Sequence, residues 1–547
     1  MSTPENDCQS RVQRFVRLGC SSKSVKGRGM DPRWSASWSG VLAVLGFSAI
    51  AQCSAASEVS VAVPKATCGP SDRIESVQGQ TTLAERFAPG PSKAYNCNLE
   101  LVGQFDDQGA SFGYADFKGC AYYSTAVNRM LRHGGVAVLD VSDPSRPHGV
   151  GHLDSAVMLD AFETLEVSEA GQLLLASNSA LVAKPPFTLE LYDLSVDCRQ
   201  PVLKGKVSLP NMYSHTGQFT RDGRTYYGAK WPPDPKVPPH AGVFAVDVAD
   251  ASAPRYLGAW IPESENWMTH HVALNSSGTR AYVAIKRLQD DRERSAHVNG
   301  LAVLDVSDVQ RRTPEPRFEL ISTLFWDDTH LAQFVLPIVI GGKPYVVFSD
   351  LQGSVGMSRP VAADVCRSGK PTYGYPRIID LTDERHPRTV SKLMLEVQDP
   401  ANCSKVIRDP TAIFGYGSSG CGVDDPQDAR LLACNYFEAG LRLFDIRNPV
   451  HPQEVAYYKP AARRKENRPG SLLRPGSQMS PAGAVDYTAD QLAVMPRFHR
   501  NGQEIWFTSL DNGFQVVRFS SRFEKSHPEL FVRRGRRLSQ RDTGSSD

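Results

Sequence analysis

The stretch Gly135-Val136-Ala137-Val138-Leu139-Asp140-Val141-Ser142-Asp143-Pro144 decides how this chain folds. Its first half is a short apolar run with β-branched residues, the composition of a strand. Its second half holds Asp, Ser and Pro, each a turn former for its own physical reason. The same pattern recurs at residues 189–201 (LELYDLSVDCRQP), 242–254 (GVFAVDVADASAP), 300–316 (GLAVLDVSDVQRRTPEP), 376–387 (PRIIDLTDERHP) and 440–452 (GLRLFDIRNPVHP). A degenerate copy, GFQVVRFS at residues 513–520, carries Arg518 where the others carry Asp. The aspartates Asp140, Asp193, Asp247, Asp305, Asp380 and Asp445 follow one another at intervals of 53, 54, 58, 75 and 65 residues, and Arg518 comes 73 later.

Each Asp-ending run follows another strand-like segment with its own turn. Examples are TRDGRTYYGAK (220–230), NSSGTRAYVAIK (275–286), GGKPYVVFSD (341–350) and RNGQEIWFTSL (500–510). Asp-Gly, Ser-Gly and Asn-Gly pairs there are hairpin signals. After the Pro comes another short strand, such as RYLGAWI (255–261). One unit therefore reads strand, Gly turn, strand, Asp-ending strand, Pro turn, strand. Repetition at this period predicts an all-β chain: a seven-bladed β-propeller of four-stranded antiparallel blades. The seventh unit lacks its outermost strand, and LELVGQF (99–105) is a strand without a unit. Adding that N-terminal strand to the last blade would close the ring and remove exposed edges.

These repeats resemble the LVIVD-repeat family of secreted β-propellers over about residues 99–519. The resemblance implies a scaffold, often on the cell surface, with no single defined activity. The repeated Asp is expected to cap the backbone donors of the turn that follows it.

The 547 residues carry a formal net charge of +2, so nothing drives the chain as a whole toward nucleic acid or anionic lipid. The apolar run GVLAVLGFSAIA (40–51) has signal-peptide length and is too short for a comfortable membrane span. Residues 1–55 are accordingly expected to be a signal peptide with an N-terminal extension, with Met30 as an alternative start. The mature chain is then secreted, periplasmic or on the cell surface, with no transmembrane span. Acylation of Cys53 is the alternative anchor, disfavoured by Gln52 before it. Residues 56–98 are read as a disulfide-tethered N-terminal segment, 99–520 as the propeller with a loop insertion at 460–484, and 521–547 as a basic, disordered tail with RRGRR at 533–537. Eight cysteines remain outside the leader, an even number that reads as disulfides in an exported chain. Nearness favours Cys421–Cys434, Cys366–Cys403 and Cys68–Cys97, leaving Cys120–Cys198.

Histidines supply the chemical candidates. Counting eight residues back from a turn glycine leads from Gly223 to His215 and from Gly278 to His270, with His271 beside it. The same count leads from Gly171 to Glu163, and His330 lies near the corresponding place in the fifth unit. Equivalent positions on successive innermost strands converge on the axis of a propeller. Imidazoles and a carboxylate meeting there suit a transition metal, so Glu163, His215, His270, His271 and His330 are the candidate metal ligands. Asp327 and Asp328 are candidates to support them, with a solvated loop as the plainer reading. The layout resembles His-lined metallo-propellers in architecture only. Two functions follow as expectations. One is a monomeric binding scaffold for a protein, peptide or glycan ligand on a propeller face, with no cofactor and no nucleic acid partner. The other is a metallo-propeller enzyme, an oxidoreductase or hydrolase. GYGSSG (415–420) fits a dinucleotide pattern but lacks a following helix, so it is read as a loop pinned by Cys421–Cys434. The acidic pairs Asp106-Asp107 and Asp424-Asp425 lack the periodicity of a calcium loop.

Overall fold

The computed structural model describes residues 61–88, 92–126, 134–179, 186–209, 212–231, 242–263, 267–287, 298–353, 369–406, 414–463, 468–474 and 489–531. The leader (1–55), Cys53, Cys366 and the basic run at 533–537 lie outside these residues.

Seven antiparallel sheets follow one another along the chain, and each is a blade. Blade 1 is Tyr114–Phe117, Cys120–Ser124, Val136–Asp140 and His148–Leu153; blade 2 is Glu166–Ser168, Leu173–Ser177, Phe187–Asp193 and Val202–Leu209. Blade 3 is Tyr213–Phe219, Thr225–Trp231, Val243–Asp247 and Arg255–Trp260; blade 4 is Trp267–Leu274, Arg280–Arg287, Val298–Asp305 and Glu319–Trp326. Blade 5 is Thr329–Ile340, Lys343–Gly353, Pro376–Asp380 and Arg388–Lys392; blade 6 is Ser418–Val423, Leu431–Tyr436, Gly440–Asp445 and Gln453–Lys459. Blade 7 has Arg497–His499, Glu504–Ser509 and Gly513–Phe519, and its fourth strand is Leu99–Phe105, paired antiparallel with Gly513–Phe519. This is a seven-bladed β-propeller. The first strands of successive blades pack on one another from blade 1 to blade 7, so they form the inner ring. Arg497 and His499 approach Asp116 to 3.9 and 3.1 Å, which joins blade 7 to blade 1.

Burial explains the pattern of the repeat. The Asp-ending third strand is covered on both faces by neighbouring blades, so VAVLD and VFAVD are buried at every position. The fourth strand lies at the rim, where HGVGHL is exposed along nearly its whole length. Apolar clusters accordingly fill the spaces between blades, as where Tyr227 and Val243 of blade 3 meet Val272 and Val283 of blade 4.

The repeated aspartate does what a turn demands. Its carboxylate accepts the N–H two residues on in all six copies: Ser142 at 2.9 Å, Ser195 at 2.8 Å, Ala249 at 3.1 Å, Ser307 at 2.8 Å, Thr382 at 2.8 Å and Arg447 at 3.0 Å. In blade 7 Arg518 takes the place and donates instead to the buried Glu504. These bonds favour the charged carboxylate. The Lys204 ammonium first, then Ser195, hold Asp193 down to about 2 from an ordinary 3.8. Asp140, Asp247, Asp305 and Asp380 are shifted the same way. A lowered folded-state pKa gives stability that is present above the unfolded value and lost as pH falls through the folded one. Urea midpoints are therefore expected to hold above about pH 4 and to fall between about 4 and 2. Replacing Asp193 with Asn should flatten part of that fall; an unchanged acid limb would contradict it.

Three features depart from the sequence reading. Tyr95–Cys97 adds a fifth strand to blade 6, on Gln453–Lys459. The chain then crosses to blade 7 through Asn98, which has φ +58° and donates to the carbonyls of Thr67 and Val455. The expected loop at 460–484 sends Leu472 and Leu473 into the core beside blades 1 and 7, so its described part is packed. The expected tail begins as two short helices, Ser521–Ser526 and Pro528–Phe531, whose Phe523 and Leu530 are buried against blades 6 and 7. Bonds Cys68–Cys97, Cys120–Cys198 and Cys421–Cys434 are formed. Cys403 is also disulfide-bonded. The second half of GYGSSG is not loop but the start of an inner strand, Ser418–Val423.

Candidate metal centre

The inner strands of blades 3, 4, 5 and 6 each break register at the same place. The shifts fall between Ser214 and Gly217, Thr269 and Val272, Ala332 and Val335, and Ser418 and Cys421. A bulge inserts unpaired residues and re-aims their side chains. The residues inside these bulges are His215-Thr216, His270-His271, Gln333-Phe334 and Ser419-Gly420. The bulge, more than the strand, places histidines at the axis.

His215 and His270 meet there, Nε2 to Nε2 at 2.9 Å, with rings edge to face. Glu163, three residues before the inner strand of blade 2, brings Oε2 to 3.6 Å from His215 Nε2 and 3.8 Å from His270 Nε2. All three residues are buried. Thr216 ties the two strands by donating to the His270 carbonyl at 2.6 Å. Burial pushes the Glu163 carboxyl up to about 8 and the His270 imidazole down to about 3. His215 is also pushed well below its usual value, by burial first and then by its histidine neighbours. Each group thus resists carrying charge alone. Among the described residues Glu163 has no lysine or arginine partner, whereas the buried Glu454 is met by Arg442 at 3.1 Å.

The other candidates stand apart. His271 turns away, accepts the Val335 N–H at Nδ1 (3.3 Å) and packs on Phe334. His330 is buried opposite Gln352, outside the cluster, because it precedes the blade 5 bulge by three residues. The position equivalent to His215 and His270 is Gln333, whose Nε2 donates to Glu163 Oε2 at 3.5 Å. The buried Gln333 Oε1 has no partner among the described residues. The count of eight from Gly341 reaches Gln333 rather than His330, so the sequence itself carries the signal for the glutamine. Asp328 serves Arg377, Lys392 and Tyr375, and Asp327 serves Lys370; neither supports the histidines. Asp106 pairs with Arg463 and Arg468, and Asp424 caps the N–H groups of Arg430 and Leu431.

A family model described as the LVIVD repeat matches residues 132–155, the stretch that holds Gly135–Pro144. The chain is an LVIVD-repeat β-propeller. No curated protein matches the sequence. Among solved structures, this LVIVD-repeat propeller is similar to a hypothetical selenium-binding protein from Sulfolobus tokodaii (12% identity, TM-score 0.46, 73% of this chain and 85% of that one). It is also similar to a periplasmic gluconolactonase of Pseudomonas aeruginosa (12%, 0.43, 78% and 100%) and to a putative 6-phosphogluconolactonase from Bacteroides uniformis (10%, 0.46, 74% and 93%). The LVIVD repeat itself holds none of the three clustered side chains. They come from the bulged inner strands and the segment before blade 2.

Proposed function

We propose that the protein is a metallo-propeller that holds one transition-metal ion at its axis on Glu163, His215 and His270. The observation that carries this is the size of the triangle. Its sides are 2.9, 3.6 and 3.8 Å between His215 Nε2, His270 Nε2 and Glu163 Oε2. Three points so placed lie on a circle of radius about 2.0 Å, the bond length of such an ion to imidazole and carboxylate. An ion at the centre would touch all three at once. It would also supply the positive charge that Glu163 lacks.

Two imidazoles and a carboxylate leave coordination positions open. Such a donor set suits an ion that polarises a bound water or substrate, in a hydrolase or an oxidoreductase. Gln333, donating to Glu163, would hold the carboxylate in place. The disulfides support an exported chain. The scaffold reading, with a ligand on a propeller face, rests on the fold without a site of comparable definition.

Elemental analysis of the full chain from an export-competent host is expected to give close to one transition-metal ion per protein. His215→Ala with His270→Ala should empty it while circular dichroism stays that of a β-propeller. A wild-type protein that stays metal-free after incubation with zinc, manganese and iron(II) would overturn the reading.

A further inference from the structure

We propose that a second ligand site, for a small polyhydroxylated molecule of the monosaccharide class, is formed by Arg497, Glu166, Asp116 and His499. It is independent of the metal reading. All four residues sit on inner strands, of blades 7, 2, 1 and 7. They lie three or five residues before a turn glycine: Asp116 before Gly119, Glu166 before Gly171, Arg497 and His499 before Gly502. The metal ligands lie eight before theirs, so at ~3.3 Å per residue this cluster is on the order of 10 Å nearer the turn end.

Arg497 crosses blade 1 to reach Glu166 of blade 2 at 3.7 Å, passing Asp116 at 3.9 Å. Its guanidinium forms no hydrogen bond to any described residue. The buried arginines Arg377 and Arg442 behave otherwise, bonding their carboxylates at 2.8–3.1 Å. The Arg497 side chain is 33% exposed, against 14% for Asp116 and 13% for Glu166, so it is the member of the cluster most open to solvent. The Glu166 carboxylate likewise has no hydrogen-bond partner among the described residues. His499 is stacked on Trp506 at 3.7 Å, with its Nε2 3.1 Å from Asp116.

The ligand class follows from charge and from the unmet groups. A guanidinium stands beside two carboxylates, one of which burial pushes up to about 7. Arg497 offsets the Asp116 carboxylate, Glu166 resists ionising, and Glu169 adds a further acidic group near Arg497, so the surroundings do not favour an anion. Unmet donors on Arg497 lie beside unmet acceptors on Glu166. A ligand must offer donors and acceptors on adjacent atoms, as vicinal hydroxyls do.

The test is isothermal titration of the full-chain protein with glucose, galactose, mannose and xylose, alongside glycine and acetate. At least one monosaccharide should bind, more tightly than glycine or acetate. Arg497→Met and Glu166→Gln should each weaken it by about tenfold or more, with Arg497→Lys intermediate. Metal content and the circular dichroism of a folded β-propeller, measured on the same variants at 25 °C, should stay at wild-type values. No monosaccharide binding, tighter binding of glycine or acetate, or binding indifferent to Arg497→Met would each overturn the proposal.

Discussion

Replacing Arg442 with Met is expected to destabilise the protein by about 3–5 kcal/mol, the cost of leaving buried charge without its partner. Arg442 is fully buried on the third strand of blade 6. Its Nη2 bonds both Glu75 carboxylate oxygens at 2.8 Å, its Nη1 bonds Glu454 at 3.1 Å, and its Nε bonds the Ala439 carbonyl at 2.8 Å. Tyr457 covers the guanidinium at 4.5 Å. With Met in its place, the two buried carboxylates would keep only neutral donors, Gln78 and the N–H groups of Ala66 and Gly79, and the Lys459 ammonium 3.8 Å from Glu75. Glu75 belongs to the N-terminal segment, so the loss should fall there first and expose residues 61–88 to limited proteolysis. Adding Glu75→Gln and Glu454→Gln should restore most of the stability, because the one charge then left is Lys459, which burial already pushes down to about 7 and which can shed its proton. Urea denaturation of the single and triple variants decides it; additive losses would refute the account.

The second large effect concerns the ion. At a free metal concentration a hundred times its dissociation constant, binding to the folded state alone should raise unfolding free energy by about 2.7 kcal/mol. Differential scanning calorimetry with and without chelator reads this as a shift in midpoint. Glu163→Gln and His270→Ala should each remove the shift while leaving the chelated midpoint near that of chelated wild type. A shift that persists in both variants would place the ion elsewhere.

The blades were legible because their signal repeats. One Asp-ending strand is weak; six in phase, each followed by a Pro turn, leave few alternatives. The orphan run at 99–105 was legible for the same reason, since the seventh unit lacked a strand. What escaped was short or distant. Tyr95–Cys97 has three residues, too few to show any period. Glu75 and Arg442 are 367 positions apart and share no pattern. At the candidate centre, the turn-glycine count found Glu163, His215 and His270 because equivalent bulges sit at equivalent distances from equivalent turns. It also named Gln333, which the attraction of a histidine at 330 displaced. Arg497 and His499 lie five and three residues before Gly502, outside the spacing of eight that the bulged strands share.

The passage of the chain through Asn98 has a consequence for biosynthesis. Two strands made early, Tyr95–Cys97 and Leu99–Phe105, complete blades whose other strands are made last. Leu99 pairs with Phe519, about 420 residues later. At usual ribosomal rates that is a wait of roughly 20 to 80 s. Through it, both early strands keep unsatisfied backbone edges, and the ring cannot shut. A nascent chain of this design needs something to occupy those edges, and truncation at either end should give a product that aggregates rather than a smaller propeller.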